Sequence, residues 1–448
     1  MERCVIMAKS KAPEREAYAA EVEEVSAGKK AKKGKKRRIG LKILCGFLAL
    51  LIAFIGVTTL ISVIGDAANK GKAKSFAEID YPSDRPVPEK DIHGNYTFTV
   101  DRPFKVVQLT DVHIGGGWMC LKKDGMALNA VAAMLTAEQP DLVIITGDVG
   151  YPVPFQAGTF NNKASAKIFA ALMEQLGVYW TLAFGNHDTE AYSYFNREKM
   201  ADFYENSGFE HCLFQRGPES VDGYGNQIIN VKNSAGSIVQ SLYLFDSHSY
   251  TDGDYFGVFW KYDNIHQNQI DWYKQNVEMY NAENKKLHPN DGTVKSCAFF
   301  HIPLREYKVA WEDYVNNGFK DTENVKFKFG TAGETGKVVY CGIGEDELFE
   351  TIQQLGSTQA VFCGHDHYND FSLEYHGVRL TYGKSVDYLA YPGIYKNGSQ
   401  RGCTVIEIRP NGTADITPES YYQDKYVSQY DKETVTMQEV TPITDIKE

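Results

Sequence analysis

Residues 105–113 read KVVQLTDVH, an apolar run that ends in a carboxylate and an imidazole two positions apart. A short run of this kind predicts a buried strand, and the polar pair marks its exit. In an extended exit, residues i and i+2 point the same way, so Asp111 and His113 can grip one cation together. Four further runs repeat the pattern. LVIITGD ends at Gly147-Asp148, WTLAFGNHD at Gly185-Asn186-His187-Asp188, CAFFHIP at His301-Ile302-Pro303, and AVFCGHDH at Gly364-His365-Asp366-His367. Helical patterns separate them over Met126–Glu138, Ala164–Leu176 and Ile265–Tyr280, and Gln227–Val231 with Ser237–Gln240 flank a hairpin turn at Asn233–Gly236. Strands alternating with helices predict parallel βαβ units, whose ligands gather at the carboxyl ends of the strands.

Each motif alone is weak, because DxH pairs and Gly-Asp turns are common. Five in order, each behind an apolar run, point to one site. Asp, Asn and neutral His are oxygen and nitrogen donors suited to Mn, Fe, Zn or similar divalent ions. The glycines before Asp148, Asn186 and His365 allow sharp turns and close backbone approach. A carboxylate between two cations about 3.5 Å apart offsets their repulsion, and such a pair clamps the oxygens of a phosphoryl group in displacement. Asp148 is the natural bridge.

The set D-x-H, GD, GNHD, H-x-P and GHxH resembles the calcineurin-like metallophosphoesterase superfamily over about residues 104–383. The stretches 241–250, 264–276, 298–307 and 364–371 further resemble the group holding a yeast dosage-dependent cell-cycle regulator phosphatase and atypical purple-acid-phosphatase-like plant proteins. The resemblance implies an α/β fold, a four-layer α-β-β-α sandwich with two mixed β-sheets. It implies Asp111, His113, Asp148 and His367 as ligands of a first metal, and Asp148, Asn186, His301 and His365 as ligands of a second. It implies His187 as general acid, with Asp188 orienting that imidazole and favouring its charged form. The implied reaction is hydrolysis of a phosphomonoester by metal-bound hydroxide. The alternatives are a phosphodiesterase or pyrophosphatase acting on a nucleotide or lipid-linked substrate and, more remotely, a non-catalytic phospho-ligand binding protein. One departure stands out. Gly147-Asp148-Val149-Gly150-Tyr151 matches the GDxxY of purple enzymes, whose tyrosine binds ferric iron, yet His113 occupies a position that their pattern leaves as glycine. His113 is therefore read as the ligand and Tyr151 as pocket wall.

Outward from this block the chain changes character. Ile43 to Ile64 is 22 residues without a charge; as a helix it spans about 33 Å, enough for a bilayer core of about 30 Å. Residues 1–42 carry 13 Lys and Arg against 6 Glu, a net of +7, which leaves −18 on the remainder of a chain whose total is −11. Basic residues before a span predict a cytoplasmic amino terminus and a single-pass cell-membrane anchor with the catalytic body outside. An acidic body repels polyanions, so no nucleic-acid partner is expected. The expected organisation is a basic tail (1–42), a transmembrane anchor (43–64), a Pro-containing stalk (65–92), the phosphoesterase domain (93–424) and a polar C-terminal tail (425–448). The eight cysteines show no CxxC spacing, and no pairing is assigned. His248 and Arg305 are read as structural or surface groups, Asp366 as bonded to backbone or behind the ligands, and Asn369 and Asp370 as loop caps.

Overall fold

The computed structural model describes residues 12–334, 338–391, 393–394 and 401–436. Residues 1–11 of the basic tail and residues 437–448 of the expected C-terminal tail lie outside the described residues. The chain divides into two compact units, Met1–Ile61 and Ser62–Glu448. Helix α1 (Ala12–Ala73) carries the uncharged run with its apolar side chains exposed. By length and composition it can cross a membrane.

The second unit contains, in chain order, β1 (Glu89–Lys90), β2 (Tyr96–Thr99), β3 (Phe104–Leu109), α2 (Leu121–Glu138), β4 (Leu142–Thr146), α3 (Pro154–Ala157), α4 (Asn162–Leu176), β5 (Trp180–Ala183), α5 (Arg197–Asn206), β6 (Gln227–Lys232) and β7 (Ile238–Leu244). It continues with α6 (Gln267–Leu287), β8 (Lys295–Phe299), α7 (Arg305–Asn316), β9 (Val325–Phe329), α8 (Leu348–Leu355), β10 (Thr358–Cys363), β11 (Ser372–Tyr375), β12 (Val378–Tyr382), β13 (Gly402–Ile408) and β14 (Ala414–Ser420). One sheet is ordered β1-β2-β6-β7-β8-β10-β12-β11-β9 and the other β14-β13-β3-β4-β5. Both are mixed. β3, β4 and β5 run parallel while β13 is antiparallel to β3. β7, β8, β10 and β12 run parallel while β6 closes the expected hairpin with β7.

Three apolar layers hold four layers of structure together. Phe104, Val106, Leu142 and Ile144 of the smaller sheet meet Leu242, Leu244, Phe299 and Phe362 of the larger one. Leu109, Ile145 and Leu182 face α2 and α4, and Tyr243, Ala298 and Val361 face α6, α7 and α8. The parallel strands read as continuous apolar runs because both of their faces are covered. Register levels their exits. Leu109 pairs with Ile145 and Ile145 with Leu182, and Leu244 pairs with Phe299 and Phe299 with Phe362. The residues just beyond these positions meet at one end of the sandwich.

Two expected boundaries are corrected. Residues 65–92 are part of the folded unit and not a stalk. Ala73, Phe76 and Ile79 are buried in the core beside α2 and α4, the Asn69 amide donates to Leu121 O, and Arg85 lies over the rings of Tyr81 and Tyr179 at 3.6 and 4.3 Å. The prolines that suggested a loose linker stiffen a strap whose apolar residues find partners. Residues 425–433 are likewise docked and not a tail. Tyr426 is buried and donates to Glu138, Lys425 pairs with Glu138 and Glu419, and Glu433 pairs with Arg401. Single aromatic anchors without periodicity carry no helix or strand signature, so composition alone missed this packing.

Candidate metal centre

Beyond β3, β4 and β10 the backbone leaves the strand conformation sharply. Asp111, His113, Asp148 and His365 all have positive φ, from 50° to 77°. Non-glycine residues avoid this region, and concentrations of such strain mark functional sites. Gly147 precedes Asp148 with φ 86°, and a Cβ there would collide with the His301 ring; a Cβ on Gly185 would collide with the Asp148 carboxylate. The close approach of these segments therefore requires glycine.

The seven expected ligands come together. Donor atoms of Asp111, His113 and His367 lie within 4.8 Å of one another, as do those of Asp111, Asp148 and His301. Asp148 stands between the groups: its Oδ2 is 3.3 Å from His113 Nε2 and 3.2 Å from His301 Nε2, while its Oδ1 accepts the His187 N–H. His301 Nδ1 donates to Thr146 O at 2.8 Å, so in the neutral ring Nε2 is the lone-pair nitrogen. That Nε2 lies 3.1 Å from Asn186 Oδ1 and 3.3 Å from His365 Nδ1. Asn186 in turn donates from Nδ2 to the Tyr250 hydroxyl, which turns its oxygen towards His301. Four acceptors converging on a buried point need a cation among them. Asp111 Oδ1 is buried and meets no hydrogen-bond donor among the described residues, with His367 Nε2 3.5 Å away. The donor set therefore fits divalent metal, with the Asp148 carboxylate lying between His113 and His301.

Protonation follows the same geometry. Burial opposes ionisation of Asp148, but the imidazoles of His301 and His187 hold its carboxyl well below the usual carboxylate range. Burial opposes charge on His113 too, yet Asp387 and Asp148 push it up to about 10; for His301, burial is overcome chiefly by Asp148, which pushes it up to about 9. Burial and the neighbouring His301 keep His365 well below the usual imidazole range, hence neutral. Without metal, protons on His113 and His301 take over part of the cation's place.

Two carboxylates absent from the expected set, Asp387 and Glu190, complete the site. Asp387 lies behind two ligands, with Oδ1 3.4 Å from His113 Nδ1 and Oδ2 3.2 Å from His367 Nδ1. Its own oxygens accept backbone N–H groups from Leu389, Ala390 and Tyr391. Carboxylates in this position fix ring orientation and raise ligand basicity. Glu190 Oε1 lies 2.6 Å from His187 Nδ1 and also accepts from the Tyr250 hydroxyl. The expected orienting role of Asp188 is thereby corrected. Its carboxylate accepts N–H groups from Asp148, Gly150 and Gly185, tying the 148–150 and 185–188 segments together. Burial and Asp148 push it up to about 6. The reason is local. His187–Thr189 forms one 3-10 turn, which puts residue i+3 beside His187 and sends i+1 inward.

The residues read as secondary take the expected places. Tyr151 lays its ring 4.5 Å from that of His113 and donates its hydroxyl to Gln156. Arg305 pairs with Glu345 at the surface, His248 bonds Gln269, and Asp366 accepts from Tyr382 and from the Tyr340 N–H. Asn369 and Asp370 accept backbone N–H groups from Gly333 and Thr331.

A calcineurin-like phosphoesterase family model matches residues 104–369. The chain belongs to the calcineurin-like phosphoesterase family. Its relatives include a probable inactive purple acid phosphatase 14 of Arabidopsis thaliana, 27% identical over 316 residues, covering 66% of this chain and 73% of the relative. Phosphatase DCR2 of Saccharomyces cerevisiae is 29% identical over 294 residues, covering 61% of this chain and 46% of that one. A crystal structure of a dimetal phosphatase from Danio rerio aligns over 69% of this chain and 94% of its own, with 11% identity and a TM-score of 0.44. Membership makes the chain a metal-dependent phosphoesterase, and the strand-end site is where the family's chemistry would lie.

Proposed function

We propose that the protein is a membrane-anchored phosphatase that uses two divalent ions to hydrolyse a phosphomonoester. The observation that carries this reading is Asp148, whose one carboxylate faces the ligand nitrogens of both His113 and His301. Asp111, His113, Asp148 and His367 would hold one ion, and Asp148, Asn186, His301 and His365 the other. Two divalent ions supply Lewis acidity towards phosphoryl oxygens and lower the pKa of water.

His187 is the proposed general acid. Its side chain is 24% exposed, whereas those of His113 and His301 are sealed, so it alone of these three can meet a departing alkoxide. Glu190 holds Nδ1, which leaves Nε2 to carry the mobile proton outward. Asp188 sets the distance between the Asp148 and Gly185 segments. Helix α1 supports a membrane anchor, and the basic residues before its apolar run support a cytoplasmic amino terminus.

Metal-replete full-length protein is expected to release phosphate from aryl and alkyl monoesters faster than it cleaves bis-esters. A preference for bis-esters or pyrophosphates would move the assignment to phosphodiesterase or pyrophosphatase. The "inactive" label on the plant relative favours one further reading, a phospho-ligand binder without turnover. Metal-dependent binding with no hydrolysis across the panel would establish that reading instead.

A further inference from the structure

One loop of the second unit presents its apolar residues outward. Between the bridge partners Tyr250 and Tyr262 the chain reads TDGDYFGVFWK, and Tyr255, Phe256, Val258, Phe259 and Trp260 are between 58% and 68% exposed. No charge falls within residues 255–260, and Lys261 follows at the edge. The loop is held in shape. Thr251 N–H donates to Lys261 O, and the Asp254 carboxylate accepts from the Phe259 and Lys261 N–H groups at 2.9 and 3.0 Å. Trp260 has φ 53°, rare for a bulky residue, so the backbone keeps this ring outward at a conformational cost. An exposed apolar cluster of this size marks an interaction surface. Trp, Tyr and Phe beside a lysine, on a fixed backbone, suit the headgroup–acyl boundary of a bilayer. The same chain carries a helix long and apolar enough to cross a membrane, so a bilayer is the surface it would meet at highest effective concentration.

We propose that the 251–261 loop is an interfacial wedge that seats Tyr255, Phe256, Val258, Phe259 and Trp260 in a phospholipid bilayer. The base of the loop borders the candidate centre. Tyr262 packs its ring 4.3 Å from that of His365, and the Tyr250 hydroxyl bonds both Asn186 and Glu190. If the proposed phosphatase function holds, the wedge brings that centre to phosphoesters displayed at a membrane surface.

The test uses the full chain reconstituted in phosphatidylcholine vesicles with brominated or unmodified acyl chains. The chain has 5 tryptophans, none within residues 43–64, so subtracting the emission of Trp260→Phe from that of the native chain isolates Trp260. The isolated signal is expected to be blue-shifted, strongly quenched by brominated lipid and spared by aqueous iodide. Phe256→Ser/Phe259→Ser should lose that lipid quenching while soluble aryl phosphate turnover stays unchanged. Quenching by iodide alone would leave the loop in water, as a site for a soluble protein, and overturn the proposal. Protection from both quenchers would mean coverage by a second copy and would overturn it too. Fluorescence needs no turnover, so failure here is separable from failure of the phosphatase reading.

Discussion

The two halves of the candidate metal centre are built from similar ligands but braced differently. In the half formed by Asp111, His113 and His367, both imidazoles have a buried carboxylate, Asp387, behind their Nδ1 atoms. In the half formed by Asn186, His301 and His365, His301 is backed by a neutral carbonyl, Thr146 O, and Asn186 by the Tyr250 hydroxyl. A carboxylate behind an imidazole makes it a stronger donor than a carbonyl does. The halves are therefore inequivalent, and the Asp387-backed half should bind its ion more tightly. Asp148 faces histidines of both halves, and Asp111 lies within donor distance of both groups.

The largest effect is expected from Asp148→Asn, which removes the shared carboxylate charge. Both ions should be lost and activity with them, as read by elemental analysis after dialysis; retention of one ion would show that the halves do not depend on the bridge. His187→Ala should keep its metal but lose about 10²- to 10⁴-fold in rate, most for poor leaving groups. Equal metal loss would place His187 among the ligands. Asp387→Asn should weaken the first ion by about 10- to 100-fold and spare the second, which competition with a chelator resolves. Glu190→Gln should cost less than loss of His187 and should reshape the pH–rate profile without changing metal content.

Metal uptake should also carry a proton signature. His113 is pushed up to about 10 and His301 up to about 9 in the metal-free protein, so both hold protons at neutral pH. Binding must expel them, hence affinity falls as pH falls and stops rising above those values. Calorimetry in buffers of different ionisation enthalpy reads the number released. A titration releasing none would mean that these rings are already neutral before metal arrives.

The strand ends were legible because one rule, apolar run then polar exit, marked the motifs that hold all seven candidate ligands without knowledge of loops. Asp387 obeys the same rule. It follows the run VRLTY of β12, which lies parallel to β10, but four residues intervene and no glycine-histidine motif flags it. Glu190 was hidden by the 3-10 turn, since proximity in sequence favours Asp188 and only the turn's period brings residue i+3 beside His187. The strap at 65–92 and the segment 425–433 were missed because their order rests on single side chains such as Phe76, Ile79 and Tyr426 meeting distant surfaces. Periodicity cannot report such contacts.

The most direct test is anomalous diffraction from crystals of the metal-loaded protein, with elemental analysis of the same sample. Two adjacent ions per chain are expected, one touching Asp111, His113 and His367, the other Asn186, His301 and His365, with Asp148 on both. A single ion, or ions seated elsewhere, such as among His248, Asp263 and His266, would contradict the account.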